Sequence, residues 1–201
     1  MKIEVLHHAS VKLTDEKTIY FDPYLISDKI HDADYIFITH DHYDHYDIES
    51  IKNVSNENTK IIVPTCLKDE KCDLVVEPNK SYKIDDISFE TVRAYNVNKS
   101  FHLKEKDYVG YIVLLKGVYY YIMGDTDRTM ETDAVTADIC FVPIGGTYTM
   151  NVTEAIEYID YLKPTIAIPI HYGMITGSPE LAEEFKNNVN KEIDVQIKIN
   201  N

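Results

Sequence analysis

Tryptophan is absent, cysteine occurs only three times, and basic side chains are scarce: 20 Lys and Arg stand against 34 Asp and Glu, a formal net charge of −14. Each shortage excludes something. The cysteines Cys66, Cys72 and Cys140 are odd in number and form no CxxC pair, so neither a disulfide framework nor a thiolate zinc site is expected. The deficit of Lys and Arg argues against a nucleic-acid partner, whose binding depends on cations that displace phosphate counterions. No run approaches the roughly 18 apolar residues of a membrane span, and Met1–Leu6 lacks the apolar stretch of a secretion signal. Linkers, low-complexity tracts and repeats are also missing. These shortages lead us to expect a cytoplasmic chain, one domain over residues 1–201, that acts on a small molecule, with no membrane partner; homo-oligomerisation is left open.

What is present divides into two halves. Short β-branched or aromatic runs at Ile3–Leu6, Val11–Leu13, Thr18–Phe21, Tyr35–Thr39 and Lys60–Val63 read as strands. Ile87–Ala94, Tyr108–Lys116 and Val118–Met123 continue them, the last pair joined at Lys116-Gly117 by a tight hairpin. Ile48, Ile51 and Val54 predict a short helix over Asp47–Val54. Later the pattern becomes strand–helix–strand. Ile139–Ile144 and Thr165–Ile170 flank a helix opened by a capping box of Asn151 and Glu154 and stopped before Pro164. Ser178-Pro179 reads as the cap and first position of another helix, with Leu181, Phe185 and Val189 along one face. The sixteen tyrosines read mainly as packing. Sheets sandwiched by helices fit this order better than an all-β barrel.

One segment proposes a chemistry. Thr39–His45 reads Thr-His-Asp-His-Tyr-Asp-His, releasing His40, His42, Asp44 and His45 from the end of an apolar strand. Alternate residues on the strand exit face the same way, so His40 and His42 reach one ion, while Asp44 and His45 face a second position. Imidazole and carboxylate without thiolate suit an open Zn, Mn, Fe or Ni site rather than a closed structural one. Asp125, in Gly124-Asp125-Thr126-Asp127, and His171, before Tyr172-Gly173, each follow a strand beside a glycine, where loops converge. Asp22-Pro23 reads as a structural turn beneath this region. Gly145–Tyr148 reads either as a plain loop or as an anion-binding turn, and Lys104 and Arg128 either as anion partners or as surface pairs.

The succession H-x-H-x-D-H, G-D-T-D and I-P-I-H-Y-G resembles the metallo-β-lactamase superfamily, and within it the compact metal-dependent hydrolases that include ascorbate-6-phosphate lactonase-like proteins. The resemblance runs from His7-His8-Ala9-Ser10 to His171 and implies an α/β αββα four-layer sandwich with a binuclear metal site at one edge. It implies His40 and His42 as ligands of a first divalent ion, Asp44, His45 and His171 as ligands of a second, and Asp125 as the bridge. The family's third histidine for the first ion falls on Arg93-Ala94-Tyr95-Asn96, so Asn96 occupies that slot, and His102 is the nearest histidine to compensate.

The expected reaction is hydrolysis of a small ester, lactone or phosphodiester, because divalent ions lower the pKa of bound water from about 16 to about 7. Asp44 is the candidate for orienting that water and His102, or His8, for supplying a proton to the leaving group. His7 and His8 are adjacent, so only one of them can face the site. A competing expectation is a non-catalytic metal-binding or sensing domain whose first site has decayed at Asn96.

Overall fold

A computed structural model of the protein describes residues 1–199. Two mixed sheets face one another. The first contains, in order across the sheet, β1 (Lys2–Val5), β2 (Val11–Thr14), β3 (Thr18–Phe21), β4 (Ala33–Phe37), β5 (Ser55–Pro64) and β6 (Leu74–Val76). The second contains β7 (Ser81–Ile84), β8 (Ile87–Arg93), β9 (Val109–Leu115), β10 (Val118–Ile122), β11 (Ile139–Pro143), β12 (Ile166–Ile170) and β13 (Asp194–Val195), also in spatial order. Helix α1 (Ile48–Val54) lies on the outer face of the first sheet, and α3 (Val152–Leu162) and α4 (Leu181–Asn188) associate with the second; α2 (Met130–Asp133) is a single turn. The expected four-layer α/β sandwich is therefore the observed one.

Alternation along the strands builds the layers. On β4, Tyr35 and Phe37 join the main core while Ile36, and Ile38 just past the strand, join a second cluster with Ile51 and Val54 of α1. On β3, Ile19 and Phe21 turn inward and Tyr20 outward. This is the period-2 pattern of a strand buried on both faces. Between the sheets, Phe37 stacks on Phe21 and meets Phe89 and Tyr111 edge-on, each centroid separation being 5.1 Å. The Tyr111 hydroxyl also donates to the Ile38 carbonyl at 2.7 Å, tying one sheet to the other just before the motif begins.

Strand direction explains where the loops gather. β1 and β3 each run antiparallel to β2, and β3 runs parallel to β4, so β1 and β4 point the same way. In the second sheet β8 and β10 each run antiparallel to β9, and β10, β11 and β12 are parallel. Their carboxyl ends therefore open on one edge, the edge where ligands bind in open α/β sheets.

Most local expectations hold. The hairpin at Lys116-Gly117 carries both residues at positive φ, 50° and 79°. Asp47 caps α1, and the Asn151–Glu154 box caps α3. Helix α4 departs from its expected start. The Ser178 and Pro179 carbonyls accept from Leu181 and Ala182 in a lead-in turn, Glu180 is the helix boundary, and no side chain caps it. β6, β7, β13 and α2 were not expected.

Candidate metal centre

Five strand ends deliver the site. β1 runs into His8, β4 into Thr39–His45, β8 into the loop bearing Asn96 and His102, β10 into Gly124-Asp125, and β12 into His171. Three sets of side chains have potential ligand atoms within 4.8 Å of one another: His40, His42 and His102; His8, Asp44, His45 and His171; and His40, His45 and Asp125. The third set links the other two.

Asp125 is central. Its carboxylate lies 3.3 Å from His45 Nε2, 3.2 Å from His102 Nε2 and 3.0 Å from His171 Nε2. His102 Nε2 also faces His40 Nε2 at 3.3 Å, and Asp44 lies 3.2 Å from His8 Nε2. Burial tends to raise the Asp125 carboxyl, but the imidazoles of His171 and His45 outweigh it and hold it well below the usual carboxylate range. Burial pushes His40 well below its ordinary value and His8 down to about 4, so both offer lone pairs near neutrality. His45 goes the other way: burial is outweighed by Asp125 and Asp22, which hold it well above the ordinary value.

Behind these groups lies an orienting network. The Asp22 carboxylate accepts from the Thr39 backbone N–H at 2.8 Å, from the Thr39 hydroxyl at 2.6 Å and from His45 Nδ1 at 2.8 Å. The Thr39 hydroxyl in turn lies 2.9 Å from His40 Nδ1. One buried carboxylate thus fixes His45 directly and His40 through a hydroxyl, which leaves each Nε2 aimed inward, the arrangement typical of metal-bound histidines. The Asp22 turn was expected to hold this loop; its hydrogen bonds show how.

The backbone is also unusual here. Asp22, His8, His102 and His171 all have left-handed φ, at 45°, 52°, 55° and 58°. Non-glycine residues adopt that region rarely and at a cost, and they cluster where surrounding structure fixes a functional geometry. At Gly145, a Cβ would lie 2.3 Å from the His171 carbonyl oxygen, so glycine is required for β11 to pass the His171 loop.

Each expected site residue has a definite place. His40, His42, Asp44, His45, Asp125 and His171 converge. His102 stands with His40 and His42. Asn96 lies beside His102, its Nδ2 3.3 Å from the His102 Nδ1. Its Nδ2 donates to the carbonyls of Phe101 at 3.1 Å and Tyr148 at 2.6 Å, and its backbone N–H donates to the His102 carbonyl at 2.8 Å. Asn96 thus closes the loop that presents His102. His8 is the residue that sequence reasoning left undecided; it is buried and turned into the centre, while His7 is exposed. The other candidates are spent elsewhere. Gly146 N–H donates to the Met150 carbonyl, Lys104 pairs with Glu131 at 2.8 Å, and Arg128 pairs with Asp133 at 2.7 Å.

The donor set fits divalent ions. The buried atoms His8 Nδ1 and Nε2, His45 Nε2, Asn96 Oδ1, His171 Nδ1 and Nε2, and Asp125 Oδ1 make no hydrogen bond of regular geometry, although His8, His45 and His171 Nε2 face carboxylate oxygens at 3.2, 3.3 and 3.0 Å. Buried polar atoms are seldom left so, and a cluster of ring nitrogens around a carboxylate is what an ion satisfies.

A two-sheet αββα sandwich with histidines and aspartates gathered at one edge defines the metallo-β-lactamase class. Residues 2–171 match the family model for the beta-lactamase superfamily domain. A UPF0173 metal-dependent hydrolase of Pyrococcus furiosus is 31% identical over 98% of this chain and 96% of its own length. A relative of the same description from Staphylothermus marinus is 32% identical over 92% of this chain and 86% of its own. A solved structure from Parabacteroides distasonis, described as a metal-dependent hydrolase, superposes with a TM-score of 0.83 at 31% identity, covering 98% of this chain and 91% of that one. The chain belongs to the beta-lactamase superfamily and, within it, to the UPF0173 metal-dependent hydrolases.

Proposed function

We propose that the protein holds two divalent ions and hydrolyses a small ester, lactone or phosphodiester. The observation that carries the reading is His102 beside His40 and His42, which supplies the first position with three imidazoles although Asn96 stands where a histidine was expected. His8, Asp44, His45 and His171 furnish the second position, and Asp125 lies between the two. The alternative of a binding domain with a decayed first site rests on Asn96, and the placement of His102 beside His40 and His42 favours the hydrolase reading over it. In this reading His102 is a ligand and not the proton donor, because its Nε2 is turned toward His40 and Asp125.

Bound divalent ions would polarise the scissile bond and make water nucleophilic near neutral pH. The chain's own residues do the rest. Asp44, partly open to the cavity, accepts a hydrogen bond from a water and orients it. Asp22 and Thr39 keep the His45 and His40 Nε2 atoms aimed inward. Phe101, Tyr148 and Ile175 wall the cavity over the centre. Zinc is the ion this imidazole-rich set favours, with Mn, Fe and Ni as alternatives.

Metal analysis tests the reading. The wild-type protein should carry two ions per chain and turn over a panel of simple esters, lactones and phosphodiesters. His102→Ala should carry one ion and lose at least about a hundredfold in kcat/KM, as expected when an electrostatic catalyst is removed. Two retained ions in His102→Ala would overturn the ligand assignment.

A further inference from the structure

The cavity over the metal centre has a volume of about 380 Å³, and its walls differ from its floor. The floor is His42, Asp44, His102 and Asp125. The walls are Tyr43, Phe101, Tyr148 and Ile175, with Asp41 as their one charged group. Phe101 and Tyr148 meet edge-on, 4.8 Å between centroids at 89°, and form an aromatic corner beside His102. Phe101 is 48% exposed and Tyr43 66% exposed, so a ligand between them removes apolar surface from water.

No lysine or arginine lines this cavity among the described residues. The cations on nearby segments are already paired: Lys99 with Asp127, Arg93 with Asp107, Lys104 with Glu131 and Arg128 with Asp133. Lys106 has no carboxylate partner within ion-pair distance among the described residues. It lines an adjoining recess with Ser100 and Tyr108, one that shares Asp41, His42, Phe101 and His102 with this cavity. Ions on the floor would take the reacting group, but the walls must accept the remainder of the substrate. The cavity's own walls offer aromatic faces and a carboxylate, and Lys106 stands in the adjoining recess.

We propose that the substrate is a carboxylic ester or lactone whose portion remote from the reacting carbonyl is uncharged and apolar, held by Phe101, Tyr148 and Tyr43. The proposal rests on the hydrolase reading above and narrows it. Hydrolysis forms a bond from the water oxygen to the acyl carbon and breaks the bond from that carbon to the leaving oxygen. One water proton goes to the departing oxygen, and the other is released when the carboxylic acid ionises. A remote anion among these walls would meet aromatic faces and the Asp41 carboxylate, and removal of Lys106 from the adjoining recess reports whether an anion is held from that side.

A matched pair of esters isolates the remote charge. Phenyl acetate and 4-sulfophenyl acetate share the reacting group, and a sulfonate is a poor metal ligand. With the metal-loaded wild-type protein, kcat/KM should favour phenyl acetate by about tenfold or more over its sulfonated counterpart. Phe101→Ala should raise KM for phenyl acetate about tenfold with little change in kcat, since it removes binding shared by ground and transition states. Lys106→Ala should leave both esters unaffected. Equal or reversed preference, selective loss of the sulfonated ester in Lys106→Ala, or faster turnover of diphenyl phosphate than of phenyl acetate would overturn the proposal. If none of these compounds turns over, the hydrolase reading fails separately. Calorimetry of the metal-loaded protein with the inert amides acetanilide and 4-sulfoacetanilide then decides the cavity: tighter binding of the neutral amide by about tenfold supports it, and equal binding overturns it.

Discussion

At the scale of single residues, the centre depends on groups that never touch an ion. Asp22 receives three hydrogen bonds and passes orientation to His45 and, through Thr39, to His40. Asp22→Asn keeps the shape but replaces one acceptor oxygen with a donor, so either the Thr39 backbone N–H loses its acceptor or the Thr39 hydroxyl and His45 Nδ1 both do. Metal affinity should fall about 10- to 100-fold, read by competition with a chromophoric chelator, the usual consequence of losing a carboxylate behind a ligating histidine. Asn96 makes a different kind of contribution. Asn96→His removes the amide donor to Phe101 and Tyr148 and places a ring behind His102, the proposed ligand. It should weaken, not tighten, the first ion; tighter binding in that variant would return the ligand role to position 96. The H-x-H-x-D-H cluster was legible because its candidate ligands lie within six positions and strand geometry aims them. His102 was only a substitute in the sequence, because its arrival depends on the loop that Asn96 closes. His8 was hidden by its neighbour: two adjacent histidines give no sign of which one β1 buries.

At the scale of elements, the sheets are useful because their carboxyl ends coincide. Alternating runs such as Tyr35–Phe37 announce buried strands, and capping residues announce helix starts, so most elements could be read directly. The missed strands β6, β7 and β13 are two to four residues long and only partly buried, and they exist because a longer neighbour supplies hydrogen bonds. A short segment carries too little pattern to declare such pairing. The convergence of β11 and β12 also depends on a feature with no pattern at all, the bare backbone of Gly145. Gly145→Ala should force a Cβ into the His171 carbonyl and push the end of β12 away from the centre. The expected outcome is loss of ions from the second position before loss of the fold. Zinc content should fall to about one ion per chain while far-ultraviolet circular dichroism stays native; unchanged content would show that the loop relaxes without moving His171.

At the scale of the whole molecule, the two sheets enclose an aromatic core and leave a polar, under-satisfied edge. The atoms of His8, His45, His171 and Asp125 that make no regular hydrogen bond lie at that edge and face one another, so the fold without ions retains under-satisfied groups that the unfolded chain would hydrate. Ions that bind the folded state alone stabilise it by mass action, about 2.7 kcal/mol at a hundredfold excess over Kd. Chelation should therefore lower Tm, and added zinc should restore it in a concentration-dependent manner. The metal-free protein should also respond to acid with a definite sign. Burial pushes His8 down to about 4 from an ordinary 6.5, so below pH 6.5 the unfolded chain takes up a proton that the folded chain refuses. The stability tied to neutral His8 is complete above pH 6.5 and is lost as pH falls through about 4, a change on the order of 3 kcal/mol at most. His40, pushed down by burial, adds to the same slope, whereas His45 titrates well above this window and stays charged across it. Urea unfolding of the chelated protein at intervals from pH 7 to 4 should show this decline, shallower in His8→Gln. An equal slope in the variant would mean that His8 is not held neutral at the centre.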